Sequence, residues 1–269
     1  MARAPRLLRF ALSPSLGAGR TSKNAERLLE FLEGQLTGLK VEIVASESYP
    51  ALGQALLSGN ADAAWAPPLV CARVEAHGGK AIARAVRGGV GSYRAALLCR
   101  RDQPVDPAKL LNLTAAWVDR DSTAGYLLPQ AWVRSRGVDP LEVFTKERFF
   151  GSFRAAAEEV AAGRADVSAT HASPQNASSA FSGLEELPES LRKKLKIFAF
   201  TGTTPSDAVV VGPAVTESSW RDLQRRFLSA ANEPSGRKFL REVFAADSFE
   251  LAPPDGYRVL YNLVLATLR

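Results

Sequence analysis

A hydroxyl-rich turn is the segment of this sequence whose residue types and spacing best suit chemistry. It lies in Trp117-Val-Asp-Arg-Asp-Ser-Thr-Ala-Gly-Tyr-Leu-Leu-Pro129, where the pattern predicts a strand, a short turn and then a helix. At the start of a helix the first backbone N–H groups have no partner within the helix, and the helix dipole is positive. Ser122 and Thr123 would add hydroxyl donors there, so the turn predicts an anion-binding site. The alternative is that Ser122 or Thr123 only caps the helix.

Histidine and cysteine, the side chains that most often carry catalysis or bind transition metals, are scarce. His77 and His171 are the only histidines, and no G-x-S-x-G motif accompanies them, so the sequence predicts no metal centre and no hydrolase triad. His171 follows a strand that ends at Thr170, at the sheet edge where open α/β folds bind ligands, which makes it a candidate for ligand binding or catalysis. Cys71 and Cys99 stand in apolar contexts without a CxxC motif, which predicts two buried free thiols.

Two glycine-rich segments resemble nucleotide-binding loops only in part. Gly17-Ala-Gly19 lacks the third glycine of a dinucleotide loop, and no acidic residue ends the strand that follows it. Gly88-Gly-Val-Gly91 lacks the Lys-Ser/Thr pair of a P-loop and is interpreted as the approach to a strand. The sequence therefore predicts no cofactor.

The amino-acid composition of the chain limits the kinds of molecule that it is expected to bind. The chain has 269 residues, 46% of them hydrophobic and 23% charged, which is enough apolar material for two modest cores. Apolar stretches are broken before the roughly 20 residues that a membrane span needs, so no membrane insertion is expected. The net charge of +6 is compatible with nucleic acid, an anionic membrane or an anionic small molecule as the partner. Lys and Arg are scattered, apart from the run Arg192–Lys196, which argues against nucleic acid.

The start of the chain bears on its location. Met1-Ala-Arg-Ala-Pro-Arg-Leu-Leu-Arg-Phe has a basic flank, but Arg9 interrupts its apolar run and no cleavage site follows. As given, the sequence predicts a cytoplasmic protein. A chain from which an export signal had been trimmed would look the same and would be periplasmic.

Strands and helices alternate along the chain, which predicts α/β architecture with mostly parallel sheets flanked by helices. The first half of the pattern consists of strand Leu7–Leu12, a helix with Leu28, Leu32 and Leu36 on one face and Gly38 as its end, strand Val41–Ala45, a helix opened by Ser48 and Pro50 and closed by Gly59, and strand Ala61–Ala66. The second half consists of strand Leu113–Val118, helices Ala124–Arg136 and Phe153–Ala162, strand Ala165–Thr170, and helices Glu217–Ala231, Ser235–Ala245 and Asp255–Leu268.

An internal repeat and two extended segments predict two similar lobes. Leu57-Ser-Gly-Asn-Ala-Asp-Ala-Ala64 and Ala161-Ala-Gly-Arg-Ala-Asp-Val-Ser168 both read as a helix end, a Gly in left-handed conformation, an Asp that caps or turns the chain, and a strand. The segments Tyr93–Arg101 and Ile197–Val211 would carry the chain from one lobe to the other and back. The predicted lobes are residues 1–100 with 204–269, and residues 101–203.

Four segments carry a resemblance to a known family. They are Ala45-Ser-Glu-Ser-Tyr49 with Leu56–Trp65, Gly91-Ser-Tyr93, Asp121-Ser-Thr-Ala-Gly-Tyr-Leu-Leu-Pro129, and Thr204-Pro-Ser-Asp207. From about Leu7 to Phe244 the chain resembles the phosphonate and phosphate substrate-binding proteins of bacterial ABC transporters. The resemblance implies the two-lobed type 2 periplasmic-binding-protein-like fold, joined by a two-strand hinge that closes on the ligand.

The resemblance also assigns roles to individual residues. It implies that Tyr49 and Tyr93 face the ligand, that Ser122 and Thr123 bind the anion, that Asp207 receives an amino group of the ligand, and that the loop with Ser13 and Ser15 lines the cleft. Asp207 could instead only cap a turn. Ala124 replaces the family's third hydroxyl and Phe153 replaces its usual histidine, so both positions lose a hydrogen-bond donor. We therefore expect a softer anion, such as a carboxylate or a less charged phosphoryl group, on a molecule with an apolar or aromatic part.

The expected function is ligand binding without chemistry, for transport or for sensing. The expected partners are a small anionic ligand and either a transporter permease or a signalling protein. An enzyme is the alternative, because chorismate-dehydrating and thiamine-precursor enzymes share this fold, and fold alone does not separate the two classes.

Overall fold

The computed structural model describes residues 6–12, 18–35, 39–184, 187–254 and 257–258. These residues fall into two units, each built on its own sheet. Unit 1 takes its residues from Met1–Gly91 and Pro205–Asn262, and unit 2 from Ser92–Thr204. The chain therefore passes into unit 2 after Gly91 and returns after Thr204.

The elements alternate along much of the chain. The first part contains β1 (Arg6–Leu12), α1 (Ala18–Gln35), β2 (Leu39–Ala45), α2 (Tyr49–Ser58), β3 (Ala63–Ala66), α3 (Pro68–Ala76), β4 (Lys80–Val86), β5 (Ser92–Arg100) and β6 (Leu113–Trp117). A π-helical turn (Thr123–Leu127) then leads into α4 (Leu128–Arg134), α5 (Pro140–Val143), β7 (Phe144–Phe149), α6 (Phe153–Ala161) and β8 (Val167–Ala172). The last part contains a 3₁₀ helix (Ala177–Leu184), α7 (Glu189–Arg192), β9 (Leu195–Pro205), β10 (Ala208–Val211), α8 (Glu217–Ser229), a 3₁₀ turn (Ala230–Asn232), α9 (Pro234–Phe244) and β11 (Ser248–Leu251).

The sheet of unit 1 has the strand order β11-β4-β10-β3-β1-β2. Strands β2 and β3 both pair with β1 in parallel, whereas the pairs β3–β10, β10–β4 and β4–β11 are antiparallel. Alternate residues of β1 face opposite sides of the sheet. Phe10 packs with α1, α8 and α9 around Leu32 and Phe227, and Ala11 packs with α2 and α3 around Leu52 and Val70.

The sheet of unit 2 has the strand order β7-β6-β8-β5-β9. Strands β7 and β8 flank β6 in parallel, and β5 runs antiparallel to β8. Helix α6 packs on the face that carries Leu98 and Ala116. The α/β prediction is confirmed for both units. The sheets are mixed and not mostly parallel as predicted, since the described pairs of unit 1 are two parallel and three antiparallel ones.

The first boundary between units differs from the predicted one. Residues 92–100 were expected in the first lobe, but β5 pairs with β8 from Arg94 opposite Ala172 to Cys99 opposite Val167. Since a strand belongs to the sheet whose hydrogen bonds it completes, β5 lies in unit 2 and the division falls at Gly91. A tight turn precedes it, in which Arg87 and Val90 pair and both intervening glycines have positive φ.

The internal repeat has the same geometry in the two units. Gly59 and Gly163 end α2 and α6 with φ of 75° and 74°, as their left-handed prediction required. The carboxylate of Asp62 accepts from the N–H of Arg9 at 2.8 Å, and the Asp62 N–H donates to the Arg9 carbonyl at 2.8 Å. In unit 2 the equivalent pair is Asp166 with Thr114, at 2.7 and 2.8 Å. Each Asp thus ties the start of one parallel strand to its neighbour.

Several predictions about local features are confirmed, and others fall outside the described residues. Ser48 caps α2 by accepting from the N–H of Ala51, with Pro in the first turn as expected. Cys71 and Cys99 are both buried free thiols, and burial raises the pKa of Cys71. The predicted helix positions Leu36 and Gly38, and most of the predicted helix Asp255–Leu268, lie outside the described residues. No helix in the described part of the chain combines the length and apolar composition that a membrane crossing requires.

Candidate functional site

One edge of the unit 2 sheet collects most of the residues singled out from the sequence. The parallel strands β6, β7 and β8 all end at this edge, and antiparallel β5 begins there. Phe150 and Gly151, which follow β7, donate to the carbonyls of Trp117 and Val118 at the end of β6, both at 2.9 Å. The predicted site residues at this edge are Tyr93, Ser122, Thr123, Ala124, Phe153 and His171.

The hydroxyl-rich turn forms a π-helical start rather than a simple α-helical one. Oγ of Ser122 accepts from the N–H of Gly125 at 3.2 Å, so the capping role considered for this residue is present. A Cβ on Gly125 would lie 2.4 Å from a methyl of Val118, which explains why glycine occupies this position. Close packing of the turn on β6 thus fixes where the helix begins.

Thr123 differs from Ser122 in its hydrogen bonding. Its side chain is buried, with 3% of the residue exposed, and among the described residues Oγ1 has no hydrogen-bond partner. A buried hydroxyl without a partner costs about 1 to 3 kcal/mol. The neighbouring Ala124 is equally buried and presents a methyl group. The turn therefore offers the amides of a helix start and one hydroxyl that the protein itself leaves unsatisfied.

A second helix starts at the same edge. Ser152 caps α6 by accepting from the N–H of Ala155 at 3.2 Å. Phe153, the first residue of α6, contacts the ring of His171 on β8 edge to face, with ring centroids 5.3 Å apart. The positive ends of two helical segments and an imidazole thus lie along one sheet edge.

Arg120 is a charged residue of this edge that the sequence reasoning did not single out. Its guanidinium lies 4.7 Å from the ring centroid of Phe149, at the end of β7. Arg120 stands only two residues before Ser122 in the sequence. Its contact with Phe149 could not be expected, because β7 was not predicted as a strand. Arg120 adds positive charge near the turn.

Unit 1 holds the other predicted contacts. Tyr49 begins α2 just after β2, and it is buried among residues that include Ala66 and Ala208. Asp207 immediately precedes β10, whose Ala208 pairs with Ala66 at the end of β3. Tyr49 and Asp207 therefore lie at the edge where the parallel strands of unit 1 end. Ser13 and Ser15 lie outside the described residues.

Asp207 makes an ion pair with Arg87. Nη2 of Arg87 donates to its Oδ2 at 3.4 Å. Burial raises the pKa of Asp207, and the charge of Arg87 and its hydrogen bond oppose that rise. Sequence reasoning missed Arg87 because the two residues are 120 positions apart.

Within the described residues, no group of three or more His, Cys, Asp or Glu side chains could hold a metal ion. The arrangement offers N–H and O–H donors for an anion in unit 2 and a carboxylate in unit 1.

Comparison with known proteins identifies the family of the chain. The chain matches the family described as ABC transporter, phosphonate, periplasmic substrate-binding protein, over residues 10–257. It is 27% identical to the phosphate-import protein PhnD of Mycolicibacterium smegmatis over 140 residues, which are 50% of this chain and 43% of that protein. The matched part is thus less than half of that relative's length.

Solved structures share the fold. XAC2383 from Xanthomonas citri bound to chloride ion has a TM-score of 0.82 at 21% identity, and covers 98% of both chains. The same protein bound to ATP has a TM-score of 0.80 at 20% identity, over 98% of this chain and 97% of that one. PhnD1 from Prochlorococcus marinus in complex with methylphosphonate has a TM-score of 0.81 at 19% identity, over 97% of this chain and 98% of that one. With the match over residues 10–257, the chain belongs to the phosphonate substrate-binding protein family of ABC transporters.

Proposed function

We propose that this protein binds a small anionic ligand at the Ser122–Thr123 turn of unit 2, for transport or for sensing, and performs no chemistry on it. The observation that carries the proposal is the buried Oγ1 of Thr123, which has no hydrogen-bond partner among the described residues. A phosphonate or carboxylate oxygen would supply the missing acceptor, and the adjacent amides of the helix start would share its charge.

The anion is proposed to be softer than a fully charged phosphonate. Ala124 and Phe153 remove two donors relative to the family pattern, and each charge-assisted hydrogen bond contributes about 1.5 to 3 kcal/mol. Phe153 instead supplies an aromatic surface, held edge to face against His171. A carboxylate or a less charged phosphoryl group on a molecule with an apolar or aromatic part suits these residues. The ATP and methylphosphonate named for the structural relatives support a phosphoryl-type ligand.

The remainder of the proposal follows from family membership. Proteins of this family serve ABC transporters, so a permease is the proposed partner, and a signalling protein is the second candidate. The same proposal includes closure of the two lobes on the ligand and contact of the ligand with Tyr49, Tyr93 and Asp207. The proposed location of the protein is the periplasm if it serves transport, and the cytoplasm if it serves sensing.

Isothermal titration calorimetry tests this function. Methylphosphonate and phenylphosphonate are each titrated into the wild type and the variants Thr123→Val and Ser168→Ala. Ser168 is the matched control, because its hydroxyl is also buried without a described partner but lies within β8. We expect phenylphosphonate to bind more tightly than methylphosphonate, and Thr123→Val to weaken both by about ten- to a hundredfold, equivalent to one charge-assisted hydrogen bond. Ser168→Ala should leave both affinities unchanged.

Two results would count against the proposal in different ways. Equal affinities in wild type and Thr123→Val would place the anion elsewhere. Tight binding of methylphosphonate, with no gain from the phenyl group, would overturn the softer-anion proposal but not the anion site.

A further inference from the structure

Arg87 lies outside every motif considered above, yet it is the residue that contacts the Asp207 carboxylate. The contact joins Nη2 to Oδ2 at 3.4 Å, and both side chains are partly buried. Among the described residues Oδ1 of Asp207 has no hydrogen bond. Asp207 therefore keeps one acceptor oxygen, while its negative charge already has a partner.

The position of Arg87 is fixed by contacts that do not involve Asp207. Its Nε donates to the carbonyl of Ala245 at 2.9 Å, and Nη2 donates to the carbonyl of Phe244 at 3.0 Å. These carbonyls end α9, where the helix dipole is negative and Ala245 has a left-handed φ of 48°. The guanidinium also lies 6.0 Å from the ring centroid of Trp65. A cation held in this way stays in place whatever faces Asp207.

The backbone around Asp207 is equally constrained. The N–H of Ser206 donates to the carbonyl of Gly91 at 2.9 Å, and the carbonyl of Asp207 accepts from the N–H of Ala85 at 3.0 Å. The hydroxyl of Tyr257 donates to the carbonyl of Ser206. Neither partner of the ion pair can move far without breaking these bonds.

We infer that Arg87 determines which ligands Asp207 accepts, by neutralising its charge so that the site favours an uncharged hydrogen-bond donor over an ammonium group. The inference rests on the proposed function, in which Asp207 contacts the ligand. An ammonium group beside Asp207 would face a guanidinium that its other hydrogen bonds hold in place, and the two like charges would repel each other. A hydroxyl could donate to Oδ1 without this repulsion. The favoured ligand is thus an anion that carries a hydroxyl or a similar neutral donor, instead of the amino group expected from the resemblance.

The test uses two ligands that differ only in this group, 2-hydroxyethylphosphonate and 2-aminoethylphosphonate. Calorimetry would measure both affinities for the wild type, Arg87→Gln, Arg87→Lys and the control Arg84→Gln, which breaks the ion pair of Arg84 with Glu250 at the same sheet. We expect the wild type to prefer the hydroxyl ligand at least tenfold, and Arg87→Gln to shift the ratio at least tenfold toward the amino ligand. Arg87→Lys, which keeps the charge, and Arg84→Gln should retain the wild-type preference.

A wild-type preference for the amino ligand, or an unchanged ratio in Arg87→Gln, would overturn the inference. If the wild type binds neither ligand, the proposed function fails, and the ion pair is tested without ligand. Carboxyl NMR titration of Asp207 should then show a higher pKa in Arg87→Gln than in the wild type. An unchanged pKa would show that Arg87 does not neutralise Asp207.

Discussion

Three consecutive residues of the turn in unit 2 have three different environments. The hydroxyl of Ser122 accepts from the N–H of Gly125 and so helps to define the helix start. The hydroxyl of Thr123 is buried with no partner among the described residues, and Ala124 has no polar group at all. Within one turn, the hydroxyl of Ser122 is therefore used by the fold, whereas that of Thr123 is left for the proposed ligand.

Restoring the third hydroxyl with Ala124→Ser should strengthen phosphonate binding. A serine there would add one charge-assisted hydrogen bond of about 1.5 to 3 kcal/mol, or roughly ten- to a hundredfold in affinity, offset in part by burying the hydroxyl in the free protein. Calorimetry with methylphosphonate measures the change. Ala180→Ser, which buries a hydroxyl in the 3₁₀ helix of the same unit, controls for the substitution and should not raise affinity. A weaker or unchanged affinity in Ala124→Ser would mean that residue 124 does not face the anion.

The cap and the helix start of the Ser122 turn could be predicted from the sequence because these interactions are local. Ser122, Gly125 and the helix they begin lie within one short segment, so the pattern contains the donor, the cap and the helix start together. The environment of Asp207 could not be predicted in this way. Its partner Arg87 is 120 positions away, and only the pairing of β10 with β4 brings the two together.

The two αβ turns of the repeat could also be predicted from the sequence. In each, a glycine ends the helix with positive φ, and an aspartate ties the next strand to its parallel neighbour. The Gly-x-Ala-Asp pattern predicted both turns because each interaction is dictated by backbone geometry.

Gly59→Ala and Gly34→Ala should have opposite effects on stability. A Cβ at either position has nothing within 4 Å, so packing does not distinguish them. Gly59 has a φ of 75°, where a Cβ costs about 1 to 2 kcal/mol, whereas Gly34 lies within α1, where Ala is favoured by about 0.5 to 1 kcal/mol. Urea unfolding followed by circular dichroism measures both free energies of unfolding. If Gly59→Ala were as stable as the wild type, the left-handed geometry of the repeat would be wrong.

Strands that depend on their neighbours were harder to predict than helices and turns. Strand β7 reads Phe-Thr-Lys-Glu-Arg-Phe, with exposed polar residues, because it lies at the edge of its sheet. Its strand conformation depends on parallel pairing with β6, which no local pattern reveals. The predicted boundary at residue 100 was wrong for the same reason, since the assignment of β5 depends on its pairing with β8.

At the scale of the whole molecule, each unit contributes a different kind of group. Unit 2 presents donors, namely the helix starts at Thr123 and Phe153, and unit 1 presents the paired carboxylate of Asp207. Membership of a substrate-binding protein family makes a small ligand the expected partner of the chain. We propose above all that the anion of the ligand binds at the Thr123 turn.

Amide NMR during titration with methylphosphonate tests that claim most directly, because amide shifts report weak binding as well as strong binding. Hydrogen bonds to an anion move amide proton resonances downfield. We predict saturable downfield shifts that are largest for the amides of Thr123 and Ala124, with those of Ser168 and Gly59 unchanged. Saturable shifts centred on any other helix start, with Thr123 and Ala124 unaffected, would contradict it.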